Sequence, residues 1–66
     1  MKPHQQRVID EKTELDDKIS RLSPFLEGET FKTLSEAEQV RLKIQLSIMK
    51  VYSNILEERI EHFPQE

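Results

Sequence analysis

From Ser35 to Phe63 the chain holds neither glycine nor proline, and this uninterrupted stretch limits the fold more than any other feature. A run of that length with apolar residues at three- and four-residue spacings is a helix. Ser35-Glu36-Ala37-Glu38 supplies its start as a capping box, in which the serine hydroxyl and a glutamate carboxylate satisfy orphan backbone donors of the first turn. Pro64 supplies its stop, so the sequence predicts helix two over about 36–62.

This helix has two apolar faces. At about 100° per residue, Leu42, Leu46, Met49, Leu56, Ile60 and Phe63 share one stripe with Ser53, whereas Ile44, Ile48, Val51 and Ile55 form a second, displaced by roughly half a turn. One neighbouring helix cannot cover both. Lys43, Ser47, Lys50, Asn54, Glu57, Glu58 and Glu61 occupy the sector left to solvent.

Upstream, Pro3 suits the first turn of a helix, where its missing donor has no partner to lose. Val8, Leu15, Ile19, Leu22 and Leu26 then follow a heptad-like seam that only Lys12 interrupts. Helix one spans about 3–22. Ser23-Pro24 reads either as a stop or as a cap before a fresh turn, with Phe25 and Leu26 tucked inward and Gly28 closing the turn. The connector runs over 23–34. Residues 1–66 therefore make one all-α domain, a helical hairpin of two long antiparallel helices with a short helical turn between them.

Sixty-six residues bury too little surface for a comfortable single core. The chain has no cysteine, and His4 and His62 stand at opposite ends without ligand spacing, so neither disulfides nor a metal can supplement it. Self-association remains. The expected contact is the stripe Ile44, Ile48, Val51 and Ile55, together with Met49, which also belongs to the core, building a homo-oligomeric bundle, a dimer or tetramer. The alternative is that the second stripe packs on Phe25, Leu26, Phe31 and Leu34 of the connector.

A net charge of −3 argues against a grip on a DNA or RNA polymer. The longest apolar runs are two or three residues, so neither a membrane span nor a secretory signal is expected and the cytoplasm is the default. No activated nucleophile, phosphate loop or metal spacing is present, and carboxylates fall on solvated faces, which argues against an enzyme or a bound cofactor. Asp10, Glu11, Glu14, Asp16 and Asp17 interleave with Lys12, Lys18 and Arg21 as on an ordinary wet helix face.

Arg41, Gln45, Tyr52 and Arg59 form a different row, on the sector between the two apolar stripes. Guanidinium forks suit phosphate, a tyrosine ring stacks on a nucleobase and an amide reads a base edge, so the row can form an anionic-nucleotide site at a subunit seam. Arginine and tyrosine also snorkel at helix borders with no ligand, and spacing alone does not separate the two readings. Arg7, beside Gln6 in the electropositive first turns of helix one, poses the same choice.

The string Gln5-Gln6-Arg7-Val8-Ile9-Asp10-Glu11-Lys12, followed by Glu14-Leu15-Asp16-Asp17-Lys18-Ile19, resembles the opening of a family of very short phage and prophage proteins often labelled as related to a crAss-like phage protein. Phe31-Lys32-Thr33-Leu34, Glu38-Gln39, Gln45, Met49, Tyr52 and Ile55-Leu56-Glu57-Glu58-Arg59-Ile60 resemble its remainder, so the likeness covers nearly the whole chain. It implies a phage origin and a helical fold. Small helical phage proteins of this general kind include oligomeric sponges that hold cyclic nucleotide signals of bacterial CBASS immunity between subunits. By that likeness the chain is an anti-CBASS sponge that binds cyclic di- or trinucleotides in the infected host's cytoplasm without turning them over. Arg41 and Lys43 stand where that family is more leucine-rich, which shifts the ligand role toward Arg59, Tyr52, Gln45 and Arg7. The competing expectation is a helical interaction module that docks on a host or phage protein through the Ile44 stripe.

Overall fold

Backbone hydrogen bonding closes three helices in the computed structural model, which describes residues 1–64: α1 (Pro3–Phe25), α2 (Glu29–Lys32) and α3 (Glu36–Glu61). No strand occurs among the described residues. The α1 and α3 rods lie side by side as an elongated hairpin, 51 × 15 × 14 Å, and α2 is a single turn in the connector.

Each helix end has its own chemistry. At the start of α1, Pro3 takes the first helical position and the buried side chain of Gln5 accepts the Lys2 backbone N–H at 3.0 Å. At the start of α3, the Ser35 hydroxyl accepts the Glu38 N–H at 3.2 Å, as a capping serine should. The reciprocal half of the predicted box is replaced, because the Glu38 carboxylate accepts from Arg41 Nη1 at 3.0 Å instead. Helix one also runs three residues further than the sequence suggests, through Pro24 to Phe25. A proline in the last turn forfeits only the bond to the carbonyl four residues back, that of solvent-exposed Ser20, while Leu26 N–H still reaches the Leu22 carbonyl at 3.2 Å. Gly28 does not close that helix in a left-handed conformation. Its backbone is extended (φ −92°, ψ 171°) and it precedes the first turn of α2.

Packing selects one of the two stripes of α3. Leu46, Ser53 and Leu56 are buried and Leu42, Met49, Ile60 and Phe63 half-buried, and these meet Val8 and the half-buried Leu15, Ile19 and Leu22 seam of α1. Phe31 caps the connector end, 5% exposed, with Phe25 edge-on at 6.3 Å and Lys43 Nζ 5.9 Å above its ring. Phe25 itself stays exposed, against the expectation that it turns inward. Val8, Phe31, Leu46 and Leu56 are the only buried apolar side chains among the described residues, each contributing at most about 1.5–3 kcal/mol.

Lys12, the interruption in the α1 seam, has a structural role. Its Nζ lies 2.6 Å from Asp16 Oδ2 and 3.5 Å from Glu57 Oε2, and Asp16 Oδ1 accepts the hydroxyl of buried Ser53. A polar layer thus crosses the hairpin, and because it pairs 12 with 57 and 16 with 53 it fixes the antiparallel register. Sliding α3 by one turn would bury the Ser53 hydroxyl without its acceptor.

The layer also sets a pH dependence. The hydrogen bond from Lys12, then that from Ser53, lowers the Asp16 carboxyl below its ordinary 3.8. The hydrogen bond to Asp16 raises the Lys12 ammonium above its ordinary 10.5. A depressed acid stabilises the fold above its unfolded value and loses that contribution as pH falls through the folded one; a raised base does the reverse. The layer is therefore intact between about pH 4 and 10 and fails first on the acid side, from just below 3.8. Urea midpoints at pH 7 and pH 2.5 should fall further for wild type than for Asp16→Asn, and equal losses would mean that the layer carries no linkage.

Candidate functional site

Burying the Leu46 and Leu56 stripe on α1 leaves the opposite face of α3 uncovered. Ile44, Ile48, Val51 and Ile55 are 53%, 62%, 61% and 47% exposed, and Val40, one turn earlier, continues the strip at 54%. Val40 was legible from its four-residue spacing to Ile44 but stands outside the predicted stripe. The connector does not fold over this face: Phe31 is spent on the hairpin end, beside Lys43. Met49 separates from the other predicted contact residues and sits half-buried on the α1 side, where its sulfur accepts Gln45 Nε2 at 3.8 Å.

The polar row borders this strip. Arg41, Gln45, Tyr52 and Arg59 are all exposed, and they lie about 50° to 90° around the helix from the midline of the apolar strip. Tyr52 is 41% exposed, which leaves an aromatic side chain open to a stacking partner. Arg41 is held by Glu38, an exposed ion pair of little energetic weight that an incoming phosphate can outcompete.

Along the helix the row is dispersed. Arg41 and Arg59 are separated by about 27 Å, with Arg41 at the connector end and Arg59 at the open end. The register of 12 with 57 brings the exposed Arg7 to the same open end as Arg59. A single chain therefore gathers Arg7 with Arg59, strings Gln45 and Tyr52 along the middle, and leaves Arg41 apart. No cavity forms among the described residues, and no cluster of three or more His, Asp or Glu side chains there could hold a metal ion. No helix among them is long and apolar enough to cross a membrane.

Comparison with known proteins places this geometry in context. The family model described as Sequestin matches residues 2–62. A phage T4 protein, described as an uncharacterized 7.5 kDa protein in the denB-rIIB intergenic region, is 44% identical over 63 residues, spanning 96% of this chain and 98% of its own. The expected kinship with very short phage proteins agrees with that relative, whereas neither match carries the crAss-like label. No solved structure matches the chain.

Proposed function

The chain belongs to the Sequestin family, and from that premise we propose that it sequesters a cyclic oligonucleotide signal of bacterial immunity, binding it stoichiometrically and releasing it unchanged. The family name and the phage relative support sequestration. One observation carries the choice of ligand: the exposed row of Arg41, Gln45, Tyr52 and Arg59 borders an exposed apolar strip, and it combines phosphate-binding forks with a stacking ring and a base-reading amide. Such a site holds an anion and a base without any group that would attack either. Counter-defence against CBASS in the cytoplasm of an infected host is the biological setting in this reading.

Sequestration also needs enclosure, and one hairpin offers none. Four buried apolar side chains among the described residues make a thin core, and the uncovered strip on α3 is the surface through which copies associate into a dimer or tetramer, with the polar row at the seam. The same strip supports the second reading, an apolar helix face offered to a host or phage protein.

Thermal melting against a panel of cyclic di- and trinucleotides decides between them. A ligand at a hundredfold excess over its Kd adds about 2.7 kcal/mol, a rise of roughly 10–20 °C for a domain of this size. Arg59→Ala and Tyr52→Ala should each abolish the rise, and Tyr52→Ala should do so while leaving the ligand-free melt and the assembly unchanged. Variants that still respond in full would remove those residues from the site. Indifference of the wild-type protein to the whole panel would transfer the argument to a protein partner.

A further inference from the structure

We propose, resting on the nucleotide reading above, that two copies pair antiparallel through α3, and that this order builds two composite sites, each taking Arg41 and Gln45 from one copy and Tyr52 and Arg59 from the other.

The starting point is a mismatch of size. The row spans about 27 Å, far more than one cyclic dinucleotide, whose phosphates share a single small ring, and no cavity encloses any part of it. Within one chain the two α3 guanidinium groups cannot serve the same ligand.

The exposed strip shows how a second copy would cure this. Ile44, Ile48, Val51 and Ile55 are spaced by four, three and four residues, which reads the same in both directions about a midpoint between Met49 and Lys50. A twofold axis at that midpoint sets Ile44 against the partner's Ile55 and Ile48 against the partner's Val51. The spacing alone also permits a parallel pair, and the helix dipoles together with one ion pair across the seam choose between them. Glu38 lies on the row side of the strip and Glu36 on the other, while the last turns of α3 carry Glu57, Glu58 and Glu61 as well as Arg59. Antiparallel order opposes the helix dipoles and brings Glu38 near the partner's Arg59, against a like-charge approach of Glu36 to the partner's Glu58 and Glu61 on the far side; parallel order aligns the dipoles and sets every charge beside its own copy.

Axial positions then follow from the helical rise. The partner's Arg59 comes within about 2 Å of the level of Arg41, and the partner's Tyr52 within about 3 Å of the level of Gln45. All four lie within about 11 Å along the axis. An axis perpendicular to both helices keeps the two rows on one side of the seam, so they converge. Glu38, already 3.0 Å from Arg41, is then shared by two guanidinium groups, so that on the row side of the seam the α3 helices leave one positive charge in excess for a phosphate.

Two experiments test the order and the sharing separately. The chain has no cysteine. Under oxidation, Ile44→Cys mixed with Ile55→Cys should give a disulfide-linked heterodimer, whereas Ile44→Cys alone should stay unlinked, because its two copies stand about 17 Å apart along the axis. Ready linkage of Ile44→Cys alone, or none in the mixture, overturns the pairing. For the sharing, Arg41→Ala and Arg59→Ala each lose binding, but an equimolar mixture, exchanged and titrated calorimetrically with the cyclic nucleotide that stabilises wild type, should recover about a quarter of the wild-type sites at wild-type Kd. Half of the dimers are then mixed, and each has one intact site. No recovery means that both arginines act from the same chain and overturns the composite site. Correct disulfides with a wild-type protein that titrates with no cyclic nucleotide would bring down the sequestration reading and its ligand sites while leaving the antiparallel pair in place.

Discussion

Ile48→Asp should convert the assembled protein into a well-folded monomer that no longer retains nucleotide. Ile48 is the most exposed residue of the α3 strip, 62% open, so its replacement removes almost nothing from the hairpin core. In a pair of copies the same position is central, and a carboxylate there faces apolar surface from both chains with no counter-charge. Unpaired burial of that kind costs several kcal/mol, which weakens association at least about 100-fold. Size exclusion with light scattering should show the monomer mass, circular dichroism should show unchanged helix content, and the melting response to cyclic nucleotide should disappear. An Ile48→Asp protein that remains assembled and binds ligand would place the contact elsewhere.

Leu56→Ala should have the opposite signature, loss of the fold itself. Leu56 is the most completely enclosed side chain among the described residues, 0% exposed, and lies on the α1-facing stripe beside the Lys12 to Glu57 link. Truncating a leucine in such a site costs about 2–5 kcal/mol, comparable to everything a core of this size supplies. The melting midpoint should fall by roughly 10–30 °C, while Asn54→Ala, two residues away and exposed, should stay within about 0.5 kcal/mol of wild type. Equal effects of the two would mean that the hairpin is not what Leu56 stabilises.

The contrast between these two positions, eight residues apart on one helix, was legible in the sequence. Apolar periodicity separated the Leu46 and Leu56 stripe from the Ile44 and Ile48 stripe, and the packing of α1 kept them apart. The absence of glycine and proline set the length of α3, and Ser35 marked its start. Pairwise chemistry was harder to read. Lys12 stood in the α1 seam as its one interruption and Asp16 read as part of a solvated face, and only the register of the hairpin brings them to Ser53 and Glu57. Gln5 stands three residues before Val8, in phase with the α1 seam, but a polar side chain does not register in an apolar periodicity, and its amide oxygen also serves the start of its own helix. Pro24 signalled a break that a last-turn proline does not impose. For the ligand row, the wheel gave direction around the helix, but distance along it assigns Arg41 and Arg59 to different ends.

The central claim is stoichiometric capture without turnover, and one measurement addresses both halves. Protein is titrated into a fixed amount of the cyclic nucleotide that stabilises it, the free nucleotide is assayed after ultrafiltration, and the retained fraction is then heated to denature the protein and analysed by chromatography. The account predicts that free nucleotide falls linearly with added protein until a fixed ratio is reached, and that heating returns all of it intact. Free nucleotide that never falls, or a retained fraction that comes back cleaved, would contradict it.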